Sequence, residues 1–376
     1  MSPQNSTLGL IGGNFSSTSL RASQRSGIYR PEDNAYVRNY MSMVDNFEYT
    51  ERNFTYSGIN KPTFLSAIFI RPDNTQLFSC GGYVVDGTTS SSTDNSIYSN
   101  SFTEAGNIST LSNTSTYKPI SWILNPGASA ITLYPEPSGL SFSPDGANVI
   151  LCGNLLSIPS GSSTLTDRGS FIFQYNLTTA WDITSIGGSS TWVLDSITYN
   201  VDTNPGSQFH NKAPLYGYSF ATPTISKIQD IFVREDGLIF YYLRDNILYQ
   251  GSISSAWNIG SNLNLNTGSL TIDPNLVSSS VNMGSFSGIS FSKNGMKLYL
   301  TSKVYGGTIF QYNLTTAWDI TTASFETFLY VGTYNTKNTL IVENGVHAIM
   351  LDDETIIHST LENVTGRLYE YKIIPY

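Results

Sequence analysis

Ile172-Phe173-Gln174-Tyr175-Asn176-Leu177-Thr178-Thr179-Ala180-Trp181-Asp182-Ile183-Thr184 recurs letter for letter from Ile309 to Thr321. A weaker copy, Leu248-Tyr249-Gln250-Gly251-Ser252-Ile253-Ser254-Ser255-Ala256-Trp257-Asn258-Ile259, lies between them. An internal repeat marks a fold that stacks one supersecondary unit. Upstream of the second copy, Gly288-Ile289-Ser290-Phe291-Ser292 alternates apolar and polar, as a half-buried strand does. Asn294-Gly295 is a hairpin signal, because both residues tolerate positive φ. Lys297–Thr301 returns, Gly306-Gly307 turns, and Thr308–Leu314 carries the phrase. Trp318–Thr321 forms a loop and Ser324–Val331 supplies a fourth strand. Four antiparallel strands with short turns make one propeller blade.

The same plan can be traced along the chain. Ser138–Gly146 opens a unit whose last strand is expected near Ser190–Thr198, and Asp230–Gly237 opens another. Ser66–Asn74 opens an earlier unit, with Ala105-Gly106-Asn107-Ile108 standing where the others read Ala-Trp-Asp/Asn-Ile. A last unit runs from Thr339–Val342 to Leu368–Ile373. Third strands begin near Ile97, Ile172, Leu248, Ile309 and Leu368, at intervals of 75, 76, 61 and 59 residues. Compact blade repeats take roughly 40–50. The excess is assigned to polar loops, notably 87–95, 159–169 and 200–214.

The last unit has three strands and no fourth. Phe47–Tyr56, rich in β-forming aromatics, has no unit of its own. Pairing the two would close a ring and leave no long edge exposed. The reading is an all-β protein: a β-propeller of five four-stranded blades with an extended N-terminal arm. Residues 1–40 are the arm and 41–376 the propeller, with a closing strand in 41–60 and blades from about 61. A sixth blade would need a degenerate unit in 200–225.

Composition bounds the function. Charged residues make up 12% of the chain, about half the usual share, so Ser, Thr, Asn and Tyr dress the surface. A net charge of −9 argues against nucleic acid. No run approaches the roughly 20 apolar residues of a membrane helix. The arm carries Arg21, Arg25 and Arg30 with no acid before Glu32. It has too little apolar content to fold alone and is expected to order on a partner, burying Leu8, Leu10, Ile11, Ile28 and Tyr29.

“SFSPDG”, “QYNLTTAWDIT” and their order of recurrence resemble the degenerate propeller repeats of phage and bacterial proteins, over roughly residues 61–376. Such repeats often sit in tail, fibre or other virion proteins of tailed phages. The resemblance implies a propeller and brings no catalytic residues. With the arm and the low charge, it leads to the expectation of a non-enzymatic structural or adhesive virion component, assembled in the host cytoplasm. The arm would engage other virion proteins and the body a host surface glycan or protein. A carbohydrate-binding or carbohydrate-active propeller is the alternative, with Tyr241-Tyr242 and Tyr216-Gly217-Tyr218 at its pocket. A cellular protein–protein scaffold is a further one.

The candidate residues read as scaffold. Trp181, Trp257 and Trp318 share one repeat slot, so they are expected to pack near the outer strands of their blades, mostly buried. Tyr175 and Tyr312 share another. Asp182 and Asp319 are read as turn residues accepting backbone N–H bonds, not paired acids. His210, His347 and His358 have no metal-ligand partner at close spacing, and no cofactor is expected. Asp352-Asp353-Glu354 reads as a solvated turn. Cys80 and Cys152, each seven residues after the Asp of its corner, are expected in second strands as buried apolar side chains.

Overall fold

The computed structural model describes residues 47–55, 65–81, 96–120, 122–124, 131–158, 166–186, 217–220, 228–244, 246–259, 261, 263–273, 286–302, 308–330, 344–351, 355–362 and 365–373. The expected arm, the Ser190–Thr198 strand, Thr339–Val342, His210 and Asp352-Asp353-Glu354 lie outside them. The chain is an all-β propeller of five four-stranded blades. The first strand, β1 (Phe47–Thr55), belongs to the last blade. Blade 1 is β2 (Ala67–Ile70), β3 (Gln76–Gly81), β4 (Ser96–Ser101) and β5 (Thr116–Pro119). A short strand, β6 (Trp122–Leu124), lies beside the innermost strand of blade 2. That blade is β7 (Ile131–Phe142), β8 (Asn148–Ile158), β9 (Thr166–Asn176) and β10 (Gly217–Phe220). Blade 3 is β11 (Ile228–Val233), β12 (Ile239–Arg244), β13 (Ile247–Ile253) and β14 (Leu263–Thr271). Blade 4 is β15 (Phe286–Phe291), β16 (Lys297–Ser302), β17 (Thr308–Leu314) and β18 (Ala323–Tyr330). Blade 5 is β19 (Asn344–Met350), β20 (Thr355–Glu362), β21 (Thr365–Ile373) and β1.

Two boundaries differ from the sequence reading. Gly217–Phe220 completes blade 2 by pairing with Phe173–Ser170, so the region that a sixth unit would have needed contributes a strand to the second, in place of the expected Ser190–Thr198. Residues 166–169, assigned to a loop, belong to β9, which starts at Thr166, while β8 runs to Ile158. The inner strand of blade 5 is described over Asn344–Met350, while its expected opening, Thr339–Val342, lies outside the described residues; blade 5 has no Ser-x-Asp/Asn-Gly corner of the kind seen in blades 2 and 4.

Both faces of each blade are buried, and strand alternation distributes side chains between two neighbours. In β8, Val149 and Leu151 face blade 1 while Ile150 and Cys152 face blade 3. In β9, Phe173 and Tyr175 face blade 1 and Ile172 faces blade 3. Continuous apolar runs therefore read as strands here. The core is five wedges, one at each blade–blade interface. The inner strands β2, β7, β11, β15 and β19 touch in that order, and β19 returns to β2.

The ring closes as the missing strand required. β1 pairs antiparallel with β21 from Phe47↔Ile373 to Thr55↔Arg367, with a bulge between Tyr49 and Asn53. Phe54 enters the wedge between blades 5 and 1 beside Leu65, Ile68, Ile357 and Leu368. Arg52 bridges to the buried Glu370 at 3.3 Å. No helix among the described residues is long and apolar enough to cross a membrane.

Removing residues 1–57 deletes this strand and leaves β21 an unpaired edge. Its melting temperature is expected to fall far below that of a chain lacking 1–35, as measured by thermal circular dichroism. Equal stability of the two truncations would show that closure contributes little.

Candidate functional site

In each of blades 2, 3 and 4 the first hairpin turns through a glycine with positive φ: Gly146 (72°), Gly237 (70°) and Gly295 (69°). The repeated tryptophan lies on that glycine. A Cβ added to Gly146 or Gly295 would come within 2.3 Å of the Trp181 or Trp318 ring, and one on Gly237 within 2.2 Å of Trp257. The tryptophans themselves have positive φ, at 64°, 52° and 67°, a strained region for a bulky residue. Each donates its backbone N–H to the carbonyl of its glycine, at 3.0, 3.1 and 2.9 Å. Blade 1 inverts the pair: Asn74 occupies the corner (φ 59°), Gly106 stands in the tryptophan slot (φ 74°), and Gly106 N–H bonds to Asn74 O at 2.9 Å. A Cβ at the corner leaves no space for an indole, so the two positions change together.

The tryptophans are half-buried, and they pack over the corner between first and second strands, where the preceding blade abuts, instead of near the outer strands. Trp181 lies against Phe142 of its own blade and Phe69 and Phe78 of blade 1. Trp318 lies against Phe291 and, across the interface, Phe232. Tyr175 and Tyr312 are buried in the wedges toward the preceding blades. Asp182 and Asp319 cap single 3-10 turns, accepting from Thr184 N–H at 2.9 Å and Thr321 N–H at 3.0 Å. Asn107 does the same for Ser109 in blade 1.

The phrase also docks onto itself. Gln174 donates from Nε2 to Trp257 O at 2.5 Å and accepts from Ile259 N–H at 2.9 Å, gripping the loop of the next copy. Gln250 accepts from Ile320 N–H at 3.2 Å in the copy after that. Among the described residues blade 5 has no such loop, and Gln311 bonds to Glu326 of its own blade.

At the axis, one position recurs in all five inner strands: Ala67, Gly139, Asp230, Gly288 and His347, each paired with an equivalent residue of the second strand. The small residues make room for the two large ones. Asp230 Oδ2 lies 2.8 Å from His347 Nε2 and accepts Ile289 N–H at 2.6 Å. A Cβ on Gly139 would fall 2.4 Å from Asp230 Oδ1, and one on Gly288 2.9 Å from the His347 ring. Asp230 of blade 3 thus meets blades 2, 4 and 5. Both side chains are under 5% exposed. Burial and the nearby Asp230 carboxylate push the Cys80 and Cys152 thiols well above their ordinary value, so neither is poised as a nucleophile. Burial, then neighbouring His347, lowers His358 to about 3. No group of three or more metal-ligating side chains occurs among the described residues.

Outward from the Asp230–His347 pair opens a cavity of about 290 Å³, lined by the inner strands of all five blades. Two residues along from the pair's level, Phe69, Ser141, Phe232, Ser290 and Ile349 form its wall. Ser141 and Ser290 hold neighbouring inner strands, accepting from Val233 N–H at 3.3 Å and Met350 N–H at 3.0 Å. The mouth lies at the hairpin corners, beside Arg71, Glu235 and Lys293. Tyr241 and Tyr242, which the carbohydrate alternative would place at a pocket, are buried within blade 3, and Tyr241 donates to Trp318 O at 2.5 Å.

Sequence reasoning passed over Asp230 and His347 as an axial pair. The signal was available: two ionisable residues in a slot that reads Ala or Gly in the other three copies. The wall carries no such signal, since Phe69 and Phe232 look like ordinary strand residues.

No known sequence family and no curated protein matches the chain. Among solved structures, a protein of Bacteroides fragilis provisionally described as a 6-phosphogluconolactonase is 10% identical with a TM-score of 0.36; the match covers 78% of this chain and 76% of that one. A Bacteroides uniformis protein with the same provisional description is 13% identical, TM-score 0.37, over 81% and 80%. The β-propeller domain of Cps50 (Swd1) from Myceliophteria thermophila is 10% identical, TM-score 0.37, over 84% and 98%. Likeness this slight says nothing of activity.

Gly295→Asn should destabilise the chain, because its Cβ displaces Trp318. Adding Trp318→Gly recreates the blade 1 arrangement. The pair should be less damaging than the sum of the two changes, with a coupling of about 1–3 kcal/mol in a denaturant double-mutant cycle. Strict additivity would mean that the two positions do not act as a unit.

His358 gives a pH prediction. The folded imidazole titrates at about 3, the unfolded one at about 6.5. Between these values the unfolded chain takes up a proton that the folded chain refuses. Its contribution is therefore full above pH about 6.5 and falls with acidification, by about 2 kcal/mol at pH 5. His358→Phe should flatten this loss in urea unfolding at pH 7 and pH 5. An unchanged difference would assign the acid sensitivity elsewhere.

Proposed function

We propose that the chain is a non-enzymatic structural or adhesive component of a tailed-phage virion, held by residues 1–40 with the propeller exposed. The observation that carries this reading is where the chain enters the ring. β1 is the outermost strand of blade 5, and its first residue, Phe47, pairs with Ile373 at the corner end of β21. Phe47 therefore stands at one rim of one propeller face. A partner held there leaves the opposite face and most of the circumference free. The polar groups brought together by the fold also support a scaffold. Gln174, Gln250, Asp182, Asp319, Ser141 and Ser290 are occupied in joining or capping backbone. The repeat resemblance supplies the virion; the basic arm on an acidic body supplies the anchor.

A chain lacking residues 1–40 should fold with a melting temperature close to that of the full chain. It should fail to enter particles when it replaces the full chain during assembly. Normal incorporation would move the attachment surface onto the propeller and end this reading.

A further inference from the structure

We infer that the corner face of the propeller is turned toward the protein that holds the N-terminal arm, and that the axial cavity receives a bulky apolar side chain of that protein. This rests on the arm-anchored reading above. The strand directions carry the first half. Thr355, just past the corner of blade 5, pairs with Lys372, and Phe47 pairs with Ile373, so β1 begins at the corner face. The cavity mouth is formed by corner residues of all five blades, among them Arg71, Pro144, Glu235, Lys293 and Leu351. The start of β1 and the mouth share a face.

The distances suit one interface. The rim strand stands three strand spacings from the inner strand, about 14 Å. A standard interface covers about 800 Å² on each partner, a patch roughly 30 Å across. A partner of ordinary size that meets the arm where it leaves blade 5 thus reaches the axis.

The cavity suits a side chain better than a free small molecule. At about 290 Å³, it is roughly twice the void that admits a benzene ring. Phe69, Phe232, Ile349, Met350 and Leu351 line it and remain half-buried, so apolar surface is left for a visitor. Several polar groups near it are already engaged, while Asp230 Oδ1 and His347 Nδ1 have no hydrogen-bond partner. Asp230 bonds His347, Ser141 and Ser290 bond backbone, and Arg71 pairs with Asp73. Small-ligand pockets orient their guest with a few placed polar groups; a side chain needs none, because its own backbone orients it. A large residue seated in a central, desolvated pocket is the usual form of an interface hot spot. Leu238 and Met296, each following a corner glycine, add exposed apolar surface on the same face, at 39% and 37%.

The test uses the full chain, arm intact. Ile349→Trp fills the cavity, and copies per particle should fall roughly tenfold or more, the loss of one hot spot. The melting temperature should stay near that of the parent. In parallel, a photo-crosslinking amino acid is placed at Leu351 in one preparation and at Tyr29 in another, and particles are irradiated. Both should attach to the same virion protein. Parental incorporation of Ile349→Trp would overturn the inference, as would attachment of Leu351 to this chain's own residues 1–46, to a different protein, or to nothing. If Ile349→Trp does not fold, the crosslinks alone decide. If Tyr29 also attaches to nothing and the 1–40 truncation incorporates normally, the arm-anchored reading itself has failed. If the truncation is excluded while Leu351 attaches to nothing, only the cavity inference falls.

Discussion

A ring of wedges is stable as a ring. Each blade of this protein buries apolar side chains on both faces, so every blade needs two neighbours, and no blade can be terminal without exposing half a core. The constraint is met by a nine-residue strand from before the first blade that joins the last. Its pairing with β21 brings Phe54 into the wedge between blades 5 and 1 and sets Arg52 against the buried Glu370. The order of the remaining interfaces, the convergence of five inner strands and the axial cavity all presuppose that join.

The repeated phrase is explained by the same geometry. Gln174 grips the backbone of the loop that contains Trp257, and Gln250 grips the loop that contains Trp318. One copy is the receptor for the next: the glutamine of blade 2 holds the loop backbone of blade 3, and that of blade 3 the loop backbone of blade 4. Where the neighbour differs, the contact differs: Lys118 of blade 1 reaches Thr184 O in the loop of blade 2. The corner obeys an equally local rule, with glycine beneath tryptophan in three blades and asparagine beside glycine in the fourth that has this corner.

The architecture was legible because it is written in short-range signals. Asp145-Gly146 and Asn294-Gly295 announce corners, the phrase announces a third strand with its loop, and the shortage of one strand at the end announces closure. What was not legible depends on register between distant strands. That Gly217–Phe220 completes blade 2 follows from a long connection whose length the sequence does not constrain. Asp230 and His347 are 117 residues apart, and their meeting at the axis requires knowing that each occupies the same rung of its inner strand. The tryptophan site was misplaced because repetition reveals that a residue packs without revealing on what. Positive φ at a tryptophan is not a property that its neighbours in sequence announce.

The direction of β1 has a mechanical consequence. The strand is antiparallel to β21 and begins at the corner end. A pull on Phe47 along β1 is parallel to β21 and loads in shear the pairs from Phe47↔Ile373 to Thr55↔Arg367, on both sides of the bulge. Backbone hydrogen bonds in such a pair lie perpendicular to the strands, so they yield together and not one after another. Resistance to force is governed by the unfolding rate and not by equilibrium stability. Force applied at Phe47 along the strand therefore meets the ring in its hardest direction.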